Sequence, residues 1–204
     1  MKRKSILVEY INKYKITYII IISLFLIGVL IGVIYINMSN QEKIENLTEY
    51  VTVLIDNVKN YNSTTQINSI INSIFKNSRE IIIIWFLGCT VIGSYFVYIA
   101  ITYHGFKIGY TIAAFIYILG TKKGMIVSLS SLLFQNIIYI PTLFLIAESS
   151  IKMCKQTYKN RNNIKKEFIR HLLILIICLV LGMVASCLEI CFSTKILKFF
   201  KEIL

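Results

Sequence analysis

His104 and His171 are the only histidines in the chain, and Asp56 is its only aspartate. Those residue types supply most general bases, proton shuttles and hard metal ligands, so their scarcity bounds the chemistry at once. The two histidines stand far apart in sequence. No HExxH, GxSxG or phosphate-binding GxxxxGK[ST] pattern occurs. Intramembrane proteolysis would call for a Ser–His or Asp–Asp pair within apolar segments, and none is evident. The five cysteines, Cys89, Cys154, Cys178, Cys187 and Cys191, show no metal-ligand spacing. Cys187 and Cys191 lie one helical turn apart and read as small apolar packing residues. The expectation is a non-enzyme without cofactor or metal.

Two carboxylates and one polar patch remain as candidates. Glu189 in "ASCLEICFSTK" lies near the end of an apolar run, where a carboxylate is expensive and often functional. Snorkelling, or pairing with Lys195, accounts for it without a catalytic role. Glu148 ends another apolar run and is expected to meet Lys152 one turn on. Between them in kind is "LLFQNIIYIPTLFLIAESS", which holds Gln135, Asn136 and Pro141, the only proline. Proline removes a backbone donor and frees the carbonyl of residue 137, and amides five or six residues earlier can bond to a loosened turn. The stretch reads as a kinked, amide-bonded helix; a substrate-lining break of the transporter kind is the alternative.

Small residues recur at helical spacing. Gly28 and Gly32, Gly105 and Gly109, Gly120 and Gly124, and Gly182 with Ser186 each form a small-xxx-small pair. In lipid such faces let helix backbones approach closely, so they predict a tightly packed bundle, with a second copy of the chain as a candidate partner.

These residues need apolar elements to carry them. The composition is 56% hydrophobic with a mean hydropathy of +0.70, and 22 Lys+Arg outweigh 10 Asp+Glu. That combination describes an all-α integral membrane protein. The basic residues lie between apolar runs, which argues for cytoplasmic loops and anionic headgroups and against nucleic acid. Apolar runs at 16–36, 81–103, 108–119, 125–147 and 172–192 predict about five spans in a single membrane domain (1–204), the third of them short. The run at 16–36 is too long for the core of a signal peptide and lacks a cleavage pattern. Lys2, Arg3, Lys4, Lys13 and Lys15 put the N-terminus in the cytoplasm, and the basic segment 149–170 is expected as a cytoplasmic loop, leaving the C-terminus outside. Residues 37–79 carry apolar positions at helical spacing (Ile44, Leu47, Val51, Leu54, then Ile67, Ile70, Ile74) around "NYNSTTQ". They predict an extracytoplasmic amphipathic helical hairpin.

From His104 to Ser150 the chain, with "GFKIG", "GTKKG" and "QNIIYIP", resembles the core of the stage II sporulation protein M family. The resemblance implies a mother-cell membrane protein of endospore-forming bacteria. It implies a scaffold that recruits and positions peptidoglycan-degrading enzymes, the stage II sporulation proteins D and P, at the septum during engulfment. A permease-type subunit working with a separate ATPase would share the same layout and is the competing expectation.

Overall fold

The computed structural model describes residues 6–40, 47–48, 63–159 and 164–200, with side chains placed for all of these except 6–14, 63–70, 129–135, 158–159 and 189–200. No strand occurs among the described residues. The long helices are α1 (Ile6–Asn37), α2 (Ser63–Gly88), α3 (Gly93–Leu119), α4 (Thr121–Lys159) and α5 (Ile164–Phe200). Four of them contain stretches long and apolar enough to cross a membrane: Lys15–Asn37, Gly93–Leu119, Asn136–Thr157 and Ile164–Leu188. The remaining long helix, α2, is 26 residues in length but carries Lys76, Arg79 and Glu80 beside its apolar half.

The helix boundaries differ from the hydropathy runs at three places. The run at 81–103 is divided: α2 stops at Gly88 and α3 begins at Gly93. Hydropathy is continuous there, but the backbone is not. The Thr90 hydroxyl donates to the Leu87 carbonyl at 2.8 Å, and a Cβ at position 93 would collide with that same carbonyl. Gly93 therefore permits the tight reversal. The expected short span at 108–119 is the second half of α3, because His104 and Lys107, which look like an interruption, turn inward and are paired. The expected loop at 149–170 is mostly helix, since α4 runs on to Lys159 and α5 starts at Ile164. Residues 41–46 and 49–62, with the first arm of the expected outer hairpin, lie outside the described residues; its second arm is the start of α2.

Chain directions follow from residue pairs. Gly28 meets Thr102 and Phe106, Gly32 meets Phe106 and Tyr110, and Gly109 meets Val29, so α1 and α3 run parallel. Asn77 lies by Tyr139 and Ile84 by Ser150, so α2 runs with α4. Glu80 with His104, and Asn77 with Ser186, make α2 antiparallel to α3 and α5. The core between them is built from Ile21, Ile81, Ile84, Ile101, Tyr139, Leu143, Ile146 and Cys178. α4 contributes more of it than any other helix, consistent with 67% burial of its apolar window against 22% for that of α1.

The α1–α3 crossing depends on glycine. A Cβ on Gly28, Gly32, Gly105 or Gly109 would press into the backbone of the facing helix, and a backbone cannot swing aside as a side chain can. Tyr35 packs edge-on against Phe106 at 5.8 Å just beyond these contacts. The small-residue faces in α1 and the middle of α3 are thus filled within one chain. Gly120, at φ +79°, makes the turn between α3 and α4, and Gly124 fits against Phe115 and Ile116.

Candidate functional site

The centre of the bundle holds a carboxylate that sequence spacing had not singled out. Glu80, on α2, accepts from Lys107 Nζ at 2.9 Å and lies 3.2 Å from His104 Nδ1, both on α3. Its other oxygen is 3.0 Å from the Tyr139 hydroxyl of α4, which also lies 3.2 Å from the Asn77 carbonyl. The hydroxyl has one proton to share between these two acceptors. Asn77 Nδ2 then donates to Ser186 Oγ of α5 at 2.8 Å, and Ser186 donates on to the Gly182 carbonyl. Four helices are thereby joined through one polar network. Because an ionised carboxylate can only accept, His104 presents Nδ1–H to it. The ring sits between Phe25, stacked at 6.4 Å, and Tyr139 at 5.3 Å, and its Nε2 is buried without a partner.

Glu80 and its partners place charge within the helical bundle and not only at the helix ends. His104 and Lys107 lie near the midpoint of α3, and Glu80 is level with them. Sequence reasoning missed it because Arg79–Glu80 reads as the polar edge of an apolar run. The usable signal was helical spacing: Asn77 and Glu80 are three residues apart, as are His104 and Lys107, so each pair shares a face. Opposite-charge faces of that kind on two adjoining helices are what a buried pair requires.

A second polar cluster closes the other end of α2. His171 Nε2 is 3.2 Å from the Trp85 carbonyl and Nδ1 is 2.7 Å from Ser149 Oγ. The carbonyl can only accept, so Nε2 carries the proton of the singly protonated ring and Ser149 donates to Nδ1. A Ser–His pair inside the apolar segments therefore exists, contrary to expectation. It bridges two different runs, which hid it. Both residues are buried, at 4% and 2% exposure, and the indole of Trp85 stacks on the imidazole at 5.5 Å. Enclosed so, the pair clamps α4 to α5. Ser150 donates to the Ile84 carbonyl, and Cys154 lies 3.4 Å from the Gly88 and 3.1 Å from the Thr90 carbonyl. These contacts tie α4 to the last turn of α2 and to the reversal after it, and the Gly88 carbonyl is one that the helix end leaves unpaired.

The other candidates are placed as follows. Pro141 lies inside α4 on its exposed side, with Ile137 also exposed, while Tyr139 between them points into the core. Asn136 is half-buried, and the side chain of Gln135 is not among those described. Glu148 is buried and adjoins Ser149 of the His171 cluster, with Lys152 half-buried one turn on. Gly182 faces Ile81, and Ser186 is in the central network. The side chains of Glu189 and Cys191 lie outside the described set; Cys89, Cys154, Cys178 and Cys187 are free thiols. Among the described residues no group of three His, Cys, Asp or Glu side chains is arranged to hold a metal.

The network makes a direct prediction. Tyr139→Phe removes the hydroxyl that joins α4 to Glu80 and is expected to destabilise the bundle by about 1 kcal/mol, in the range of hydrogen bonds between membrane helices. Thermal unfolding in micelles measures it; an unchanged midpoint would show the hydroxyl to be idle.

The family model described as stage II sporulation protein M matches residues 21–194. No curated protein and no solved structure matches the chain.

Proposed function

Because the chain belongs to the stage II sporulation protein M family, we propose that it is a non-catalytic membrane scaffold that recruits and positions peptidoglycan-degrading enzymes at the septum during engulfment. The observation that carries this reading is the extent of the family match, which runs from α1 to α5. The polar chemistry of the interior supports it: Glu80, His104, Lys107, Tyr139, Asn77 and Ser186 are spent on one another and on joining four helices. A scaffold needs a rigid body of this kind to hold partners in fixed positions.

The proposed topology has five crossings. With a cytoplasmic N-terminus, the parallel pair α1 and α3, together with α5, runs outward, and α2 and α4 run inward. The basic residues around 152–170 then face the cytoplasm, as the charge rule asks, and the C-terminus lies outside. The proposed location is the mother-cell side of the sporulation septum, and the proposed partners are the stage II sporulation proteins D and P.

Co-purification of the tagged chain from sporulating cells tests the reading. Recovery of both hydrolases is expected. Their absence, recovery of a nucleotide-binding ATPase instead, or normal engulfment in a null mutant would overturn it. Pro141→Ala sharpens the test. Pro141 is exposed, on the opposite face of α4 from the buried Tyr139, so the variant is expected to fold with a near-wild-type midpoint while recovering several-fold less partner. Full complementation would make the proline incidental to assembly.

A further inference from the structure

Between α2 and α3 the surface opens into a cavity of about 630 Å³ lined by Phe75, Lys76, Arg79, Ile83, Ala100 and Tyr103, with Glu80 and Lys107 at its floor. Its volume is that of a small-molecule site. Lys107 is committed to Glu80 and also sits 5.3 Å from the centre of the Tyr103 ring. Lys76 and Arg79 are different: both are exposed, one turn apart on the same side of α2, and neither has an ion-pair partner among the described residues. They adjoin Asn77 and Glu80, whose partners Ser186 and Tyr139 lie within three residues of the ends of the apolar stretches Ile164–Leu188 and Asn136–Thr157, so they stand near the edge of the apolar zone, where headgroups meet hydrocarbon. Unpaired cations at that level attract an anionic headgroup.

We propose that this groove binds one anionic phospholipid, its phosphate held by Lys76 and Arg79 and its acyl chain lying along Phe75, Ile83, Ala100 and Tyr103. Two adjacent cations beside an apolar wall match a charged head joined to a hydrocarbon tail. A guanidinium and an ammonium at i, i+3 can close on one phosphate together. A second copy of the chain meeting this face about a two-fold axis would bring like charges together. A partner helix, about 10 Å across, would rest on the rim and reach the cations only through an acidic side chain of its own. The inference needs only that the chain is embedded in lipid, and does not rest on the hydrolase-scaffold reading.

Native mass spectrometry of the full chain, released from micelles containing phosphatidylglycerol or phosphatidylcholine of matched acyl chains, tests the proposal. One retained phosphatidylglycerol is expected, in preference to phosphatidylcholine. Lys76→Gln and Arg79→Gln should each lower its retention about fivefold, as expected for roughly 1 kcal/mol per charge near anionic lipid. The exposed pair Lys165 and Lys166 near the start of α5, changed to Gln, should leave retention intact. Equal retention of both lipids, wild-type retention by the Lys76→Gln/Arg79→Gln variant, or equal loss in the α5 control would overturn the assignment. So would displacement of the lipid by excess inorganic phosphate, which would reduce the groove to a free-anion site. Loss of protein partners from the double variant with its lipid still retained would give the groove to a partner helix and likewise overturn it. Failure to recover hydrolases from cells would leave these lipid measurements unmoved, so the two readings fail separately.

Discussion

Gly32→Leu is expected to force α1 away from α3 and to lower the unfolding midpoint of the protein in micelles by about 6–12 °C. A Cβ at this position would meet the Phe106 carbonyl, and its next neighbour is the Tyr110 backbone nitrogen at 2.6 Å. Neither group can move without shifting α3. Overpacking a well-filled interface destabilises by about 3 kcal/mol at the upper end of the usual range, and about 2–4 °C follow from each kcal/mol in a chain of this size. Gly28→Leu should behave alike, because the Thr102 carbonyl is in the same relation to it. Gly182→Ala is the contrasting variant, since its Cβ would meet only the tip of the Ile81 side chain, which can rotate. A midpoint for Gly32→Leu as high as that of Gly182→Ala would refute the crossing.

The second large effect belongs to Glu80. Glu80→Ala leaves Lys107 without its anion and takes an acceptor from His104 and Tyr139. Breaking one side of a buried ion pair destabilises by about 3–5 kcal/mol, much of it the penalty of the charge left behind. Glu80 and Lys107 are partly screened, with side chains 20% and 33% exposed, which places the expectation at the lower end. The double variant Glu80→Gln/Lys107→Gln should recover a good part of the loss, because neither partner is then an orphan. A double-mutant cycle measures this, with a coupling of about 1–3 kcal/mol expected for contacting residues. Strict additivity of the two single variants would show that the pair contributes nothing.

Helical architecture and membrane character were legible because apolar runs report on lipid directly. The glycine faces in α1 and α3 were legible as well, since small-xxx-small spacing states which side of a helix admits close approach. What lay beyond reach has physical reasons. Hydropathy averages over a window and is blind to a reversal of four residues between Gly88 and Gly93, where no residue is charged and the flanking runs are apolar. His104 and Lys107 looked like a boundary because polarity is ambiguous between a helix end and a helix interior that has found its counter-charge. Tyr139 was overshadowed by Pro141 two residues on, although alternate sides of one turn face lipid and core. Ser149 and His171 belong to different runs, and only packing brings them together.

The charged half of α2 also bears on biogenesis. In the five-crossing topology proposed above, a helix displaying Lys76, Arg79 and Glu80 would resist release from a translocon into lipid on its own, as each charge placed within a span disfavours insertion by up to about 2.5–3.5 kcal/mol. The run Ile81–Ile84 offsets only part of that. Glu80 becomes tolerable once α3 supplies His104 and Lys107 and α4 supplies Tyr139, all of which are synthesised later. In that topology α2 would wait at the membrane for its successors. A ribosome stalled before Tyr139 would expose an incomplete span to membrane quality control, and truncations ending ahead of that residue should be degraded while longer ones persist.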